Sequence, residues 1–127
     1  MGNTGWCVLV VDDDVDVRGM LAQVLQLEGY DVVTAADGRE ALKRLEERTP
    51  ALVLLDLMMP RMNGWQFRAE QLKVPALAQV PVVVLSGDGS LEARGLTMPG
   101  VRLLRKPIEL QTLLDTVGSY CPSSATA

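Results

Sequence analysis

Apolar positions along the chain fall into two alternating patterns. "WCVLVV" (Trp6 to Val11), "ALVLL" (Ala51 to Leu55) and "VPVVVL" (Val80 to Leu85) are continuous apolar runs, the pattern of strands covered on both faces. "YDVVTA" (Tyr30 to Ala35) and "VRLL" (Val101 to Leu104) are shorter strand patterns, and the first is polar enough to predict a place nearer a sheet edge. Helical stripes lie between these runs. Val17, Met20, Leu21, Val24 and Leu25 form one, Ala41, Leu42 and Leu45 another, and Leu110, Leu113, Leu114 and Val117 a third with i, i+3, i+4, i+7 spacing. A short helix is predicted from Gly64 towards Lys73, and a weaker one over Leu91 to Leu96.

Local signals punctuate these elements. Gly29 is a helix stop, and Asp37 with Glu40 makes a D-x-x-E helix start. Pro50 ends a connection, the Asn63-Gly64 pair marks a turn, and Pro81 is tolerable at a strand start. Five β-then-α units imply a parallel sheet with helices on both faces. The 127 residues suggest one domain. Its expected extent is residues 1–120, with 121–127 as a flexible tail.

In such sheets ligands bind beyond the carboxyl ends of the strands. Four of those ends carry chemistry. The first run ends in Asp12, Asp13 and Asp14, the third in Asp56, the fourth in Ser86, and the fifth leads to Lys106 before Pro107. A parallel sheet would gather all four on one rim. Clustered carboxylates repel, and one stays protonated unless a cation neutralises them. The chain has no histidine. That excludes a Ser-His-Asp triad, histidine-ligated zinc and a phosphohistidine on this chain. Any metal would be held largely by oxygen, which points to magnesium, calcium or manganese. Magnesium uses one or two carboxylates together with phosphate oxygens. Such a site would let a carboxylate attack phosphorus and form an aspartyl phosphate, with Lys106, the Ser86 hydroxyl and the metal stabilising the transferring group.

The motifs "VVDDD", "LVLLDLMMPRMNGW", "PVVVLSG" and "RKP", in this order, resemble the receiver domains of two-component response regulators. The resemblance covers about Cys7 to Gly118. It implies a doubly wound, flavodoxin-like (βα)5 three-layer α/β sandwich with strand order 2-1-3-4-5. It also implies residue roles. Asp56 matches the phosphoacceptor. Asp12 and Asp13 match the acidic pair that holds Mg2+ (or Mn2+), Asp13 more directly. Asp56 would add a ligand oxygen and Met58 its backbone carbonyl. Ser86 and Lys106 match the hydroxyl and the lysine that meet the phosphoryl group. The peptide bond before the proline matching Pro107 is usually cis in the family. The implied donor is a sensor histidine kinase or phosphotransfer protein, and the output is contact with a downstream protein, from a monomer or weak homodimer. Receivers commonly carry Tyr or Phe where this chain has Leu103, and Pro99 and Gly100 fall where a helix would hand over to a strand. Both departures bear on signal readout rather than on the acceptor.

Each residue also has a plainer reading. Taken singly, the Asp run is a solvated turn, Asp14 and Asp16 solvent-facing or helix-capping, Ser86 turn chemistry, Lys106 a surface ion, Leu103 a strand-core residue and Trp65 helix-start packing. Two further functions compete with the receiver: an interaction module independent of phosphorylation, and a haloacid-dehalogenase-type phosphatase using Asp12 and Asp14 as a D-x-D motif. A receiver is not an enzyme acting on an external metabolite; only its own phosphorylation and dephosphorylation are expected. The net charge of −4 argues against direct nucleic-acid binding. The opening residues "MGNTGW" lack the basic and apolar regions of a secretory signal, so none is expected, and no apolar run approaches the ~20 residues of a membrane span. Cys7 and Cys121 form no C-x-x-C pair and fit a reducing cytoplasm. With no output domain following, a stand-alone receiver is expected.

Overall fold

The computed structural model describes residues 7–56, 64–87 and 102–121. Five strands form one parallel sheet: β1 (Cys7–Val11), β2 (Asp31–Ala35), β3 (Leu52–Asp56), β4 (Val82–Ser86) and β5 (Arg102–Arg105). Their order is β2-β1-β3-β4-β5, and every neighbouring pair is parallel. The helices are α1 (Val15–Leu27), α2 (Gly38–Glu47), α3 (Gly64–Leu72), α4 (Pro75–Ala78) and α5 (Leu110–Tyr120). This is the doubly wound flavodoxin-like arrangement expected from the sequence.

Side chains alternate across the sheet with a period of two. Val8, Val10, Leu52, Leu54, Val83 and Leu85 meet Leu21 and Leu25 of α1 and Leu113 and Val117 of α5. Leu9, Val11, Val53, Leu55, Val82 and Val84 meet Ala41 and Leu45 of α2, Phe67 of α3 and Leu77 of α4. The sheet is therefore the middle of three layers. This is why β1 and β3 read as unbroken apolar runs. The edges read differently: β2 is half-buried up to Ala35, and β5 exposes Arg102 and Arg105, charges that discourage further strand pairing.

Gly29 ends α1 as expected, with φ of 95°. Its N–H donates to the Gln26 carbonyl at 3.0 Å, and the Tyr30 N–H reaches back to the Leu25 carbonyl at 3.1 Å. This closing motif requires a left-handed residue, which glycine adopts without a Cβ penalty. Tyr30 is spent on the helix end, so β2 starts at Asp31 rather than at Tyr30. The last strand extends one residue past the apolar pattern, to Arg105; Val101 lies outside the described residues.

The four-residue α4 was not foreseen, because "PALA" is too short to display a helical period. Its first residue, Pro75, needs no N–H partner at that position. The helix expected over Leu91 to Leu96, and the turn at Pro99 and Gly100, lie outside the described residues. Cys7 and Cys121 are both buried free thiols, and the Cys121 carbonyl accepts a 2.8 Å hydrogen bond from the Tyr30 hydroxyl. Residues 122–127 also lie outside the described residues. No helix among the described residues is long and apolar enough to cross a membrane.

Candidate functional site

The strand order reverses between β1 and β3: from β1 the chain winds outward to β2, then returns to β3 on the other side. A crevice forms beyond the strand ends at such a reversal, and both β1 and β3 deliver carboxylates there. Asp12 follows β1 directly. Its N–H extends the ladder by donating to the Ala35 carbonyl at 3.1 Å. Its side chain is wholly buried. Oδ1 accepts from the Asp14 N–H at 2.9 Å, and Oδ2 accepts from the Lys106 Nζ at 3.1 Å. These bonds give both oxygens of a buried side chain a partner.

Asp14 points elsewhere. Its Oδ1 accepts from the N–H groups of Asp16 and Val17 at 2.9 and 3.2 Å, capping α1. Asp13 is exposed, and a carboxylate oxygen of it lies within 4.8 Å of oxygens of Asp12 and Asp56. Asp56 is the last residue of β3 and is buried. Lys106 follows β5 directly, and its ammonium lies 3.4 Å from Asp56 Oδ1. The Lys106-Pro107 peptide is cis. Ser86 ends β4 in register with Arg105, which places its backbone at the same rim. Met58 lies outside the described residues.

Charge and burial set the protonation balance. Burial, chiefly, and the neighbouring Asp12 charge push the Asp56 carboxyl up to about 7; Lys106 opposes this, and the nearby Asp13 side chain adds to it. For Lys106, burial works to lower the pKa, but the Asp56 charge and the bonds to Asp12 outweigh it, so the ammonium is held more firmly than usual. Asp12, Asp13 and Asp56 each offer a carboxylate oxygen, all within 4.8 Å of one another. Oxygen-only donors of this charge suit a hard divalent cation. The site thus combines a poorly solvated carboxylate, a fixed ammonium and an acidic oxygen cluster.

Residues 8–118 match the response regulator receiver domain family. The chain belongs to this family. Protein PilG of Pseudomonas aeruginosa is 33% identical over 121 residues, which make up 94% of this chain and 90% of that protein. A CpxR homolog of Haemophilus influenzae, a transcriptional regulatory protein, is 39% identical over 121 residues, but this chain spans only 52% of its length. The chemotaxis protein CheY4 of Vibrio cholerae superposes with a TM-score of 0.77 at 31% identity, covering 91% of this chain and 98% of that one. Receiver domains are phosphoacceptor modules of two-component signalling, and this chain has that role.

The competing readings gain nothing. Asp14 is occupied with capping α1, so it is not a partner for Asp12 in a D-x-D phosphatase motif. Leu103 packs half-buried against the α2 and α3 side of the core, as its strand-core reading expected. Trp65 packs on the same cluster. One residue at the rim escaped sequence reasoning. Arg18 of α1 donates from Nη1 to the Asp12 carbonyl at 2.7 Å. A lone arginine on a helix reads as a solvated charge, and no spacing marks it otherwise.

Proposed function

We propose that Asp56 is the phosphoacceptor of this receiver, served by Lys106, Ser86 and a divalent cation. The observation that carries the reading is the Lys106 ammonium shared between Asp12 Oδ2 at 3.1 Å and Asp56 Oδ1 at 3.4 Å. An ammonium so placed both anchors the acceptor and meets an incoming anionic group. In the transfer, an Asp56 carboxylate oxygen attacks phosphorus as the donor's P–N or P–O bond breaks. The departing imidazole or acetate keeps the electron pair. Lys106 and the Ser86 hydroxyl then hold the phosphoryl oxygens of the mixed anhydride. Hydrolysis of that anhydride on the same chain resets the module; no external metabolite is turned over.

The cation fitting this oxygen set is Mg2+, with Mn2+ as a substitute. Asp12, Asp13 and Asp56 would hold it, together with the backbone carbonyl of Met58. When bound, it supplies the positive charge that offsets carboxylate and phosphoryl repulsion.

The donor is a phosphohistidine on a separate protein, a sensor histidine kinase or phosphotransfer protein, since this chain has no histidine. Val17, Met20, Leu21, Gly87 and Ile108 line an apolar hollow beside Lys106 and Pro107. This hollow supports a donor docking next to the acceptor. Output runs through contact with a downstream protein, from a monomer or weak homodimer in the cytoplasm, where two unpaired thiols are at home. Mass spectrometry after acetyl phosphate and Mg2+ tests the assignment. The unaltered chain should gain one phosphoryl group and Asp56→Asn none; equal labelling of the variant refutes it.

A further inference from the structure

The turn that carries the two leading acids is pinned at nearly every polar group. The Asp12 N–H bonds the Ala35 carbonyl, and the Arg18 N–H bonds the Asp14 carbonyl at 2.9 Å. Asp12 Oδ1 takes the Asp14 N–H, and Oδ2 takes Lys106. What remains is the peptide group joining Asp12 to Asp13. Its carbonyl accepts from Arg18 Nη1 at 2.7 Å.

A peptide unit is planar, so holding its carbonyl fixes the direction in which the next Cα leaves. Asp12 is anchored independently through its side chain. Asp13 is exposed and lacks such burial, so its approach to Asp56 depends on that peptide plane. We propose that Arg18 is a positioning residue: by clamping the Asp12 carbonyl, it aims the Asp13 carboxylate into the cation site. The inference rests on the reading of Asp12, Asp13 and Asp56 as the Mg2+ site.

Two effects of Arg18 on cation binding have opposite signs. Its positive charge beside an acidic cluster repels a cation, so removing it should tighten binding. Its hydrogen bond aligns a ligand, so removing it should loosen binding, as loss of a ligand-orienting partner does. The side chain is half-buried, and the bond is short and charge-assisted. Alignment therefore outweighs repulsion.

The test is calorimetric titration of the full chain with Mg2+, comparing Arg18→Met and Arg18→Lys with the unaltered protein. Arg18→Met keeps the aliphatic stem but has neither charge nor donor, and should weaken Mg2+ affinity about tenfold. Arg18→Lys keeps the charge and one donor, and should recover most of the loss. With acetyl phosphate, Arg18→Met should need more Mg2+ yet reach nearly the same maximal labelling rate. Affinity for Mg2+ equal to or tighter than that of the unaltered chain in Arg18→Met overturns the proposal, as does a lower maximal rate with an unchanged Mg2+ requirement. If Arg18→Met does not fold, Arg18→Gln, a shorter neutral donor, is measured against Arg18→Lys. The same alignment predicts weaker binding in the glutamine variant, and equal or tighter binding overturns it. Failure of the unaltered chain to bind Mg2+ defeats the site reading itself, and this inference with it.

Discussion

Lys106 and Asp12, 94 positions apart in the chain, meet at 3.1 Å, with the Asp12 side chain wholly shielded from water and the lysine side chain one-quarter exposed. The sheet order brings this about. β1 and β5 are not neighbours, and a long lysine side chain reaches from the β5 rim across the β3 and β4 ends towards β1. The pair supplies the positive charge that lets two carboxylates occupy one crevice.

Removing that charge has a predictable sign. Lys106→Met leaves buried Asp12 facing Asp56 without a counter-ion. Without divalent metal at neutral pH, the variant should lose about 1–3 kcal/mol of stability, less than a fully buried pair would lose, because the lysine is partly solvated. Excess Mg2+ should narrow the gap by binding the folded state. Urea denaturation with and without Mg2+ measures both effects. A midpoint matching the unaltered chain in chelator would contradict the prediction.

The Asp56 carboxyl makes metal-free stability depend on pH. Its folded-state pKa of about 7 lies above its ordinary 3.8, so the folded chain holds this proton more tightly than the unfolded chain does. The associated stabilisation is fully present below about pH 4 and is lost as pH rises through about 7. Asp56→Asn cannot ionise and escapes the loss. Its stability relative to the unaltered chain should therefore climb between about pH 4 and 7, by an amount on the order of 2–4 kcal/mol. Thermal melts in chelator across that range decide the matter; a pH-independent difference rules out a raised carboxyl.

Gly29→Ala should act on the scaffold alone. An alanine at φ of 95° must take a left-handed conformation, at a cost of about 1–2 kcal/mol. The melting temperature should fall by about 4–8 °C. Mg2+ affinity should not change, because Gly29 closes α1 at the end remote from Asp13. A shifted affinity would mean that the helix end and the acidic turn are coupled.

The fold was legible wherever a strand is buried on both faces. β1, β3 and β4 announce themselves as apolar runs because helices cover them above and below. The polar character of "YDVVTA" correctly placed β2 at an edge. Asp12, Asp13, Asp56 and Lys106 were legible because each adjoins a strand end, and a parallel sheet sends all those ends one way. Arg18 and Gln71 were not. Each lies on a helix among ordinary polar residues, and its use depends on what tertiary packing brings within reach. The extra helix at Pro75 was hidden for a related reason: one turn has no period, and the side chain that bonds its Leu77 carbonyl, Gln71, comes from the preceding helix.

That glutamine gives a sharp test of how the α3–β4 connection is held. Gln71 is wholly buried. Its Nε2 donates to the carbonyls of Leu77 at 2.8 Å and Val80 at 3.1 Å, and its Oε1 accepts from Arg68 Nη1 at 2.9 Å. One side chain thus satisfies two backbone acceptors around α4 and one cationic donor. By size and surroundings a leucine would fit, since Phe67 and Leu77 pack nearby in the core. If apolar burial governed the position, Gln71→Leu would stabilise. The stranded carbonyls argue the reverse, because a buried polar group left without a partner costs about 1–3 kcal/mol. With two acceptors deprived at once, Gln71→Leu should destabilise by about 2–4 kcal/mol in urea denaturation. Labelling of Asp56 by acetyl phosphate should persist under folding conditions, since Val80 lies at the opposite end of β4 from Ser86. A neutral or stabilising substitution would mean that water or a shifted backbone already serves those carbonyls.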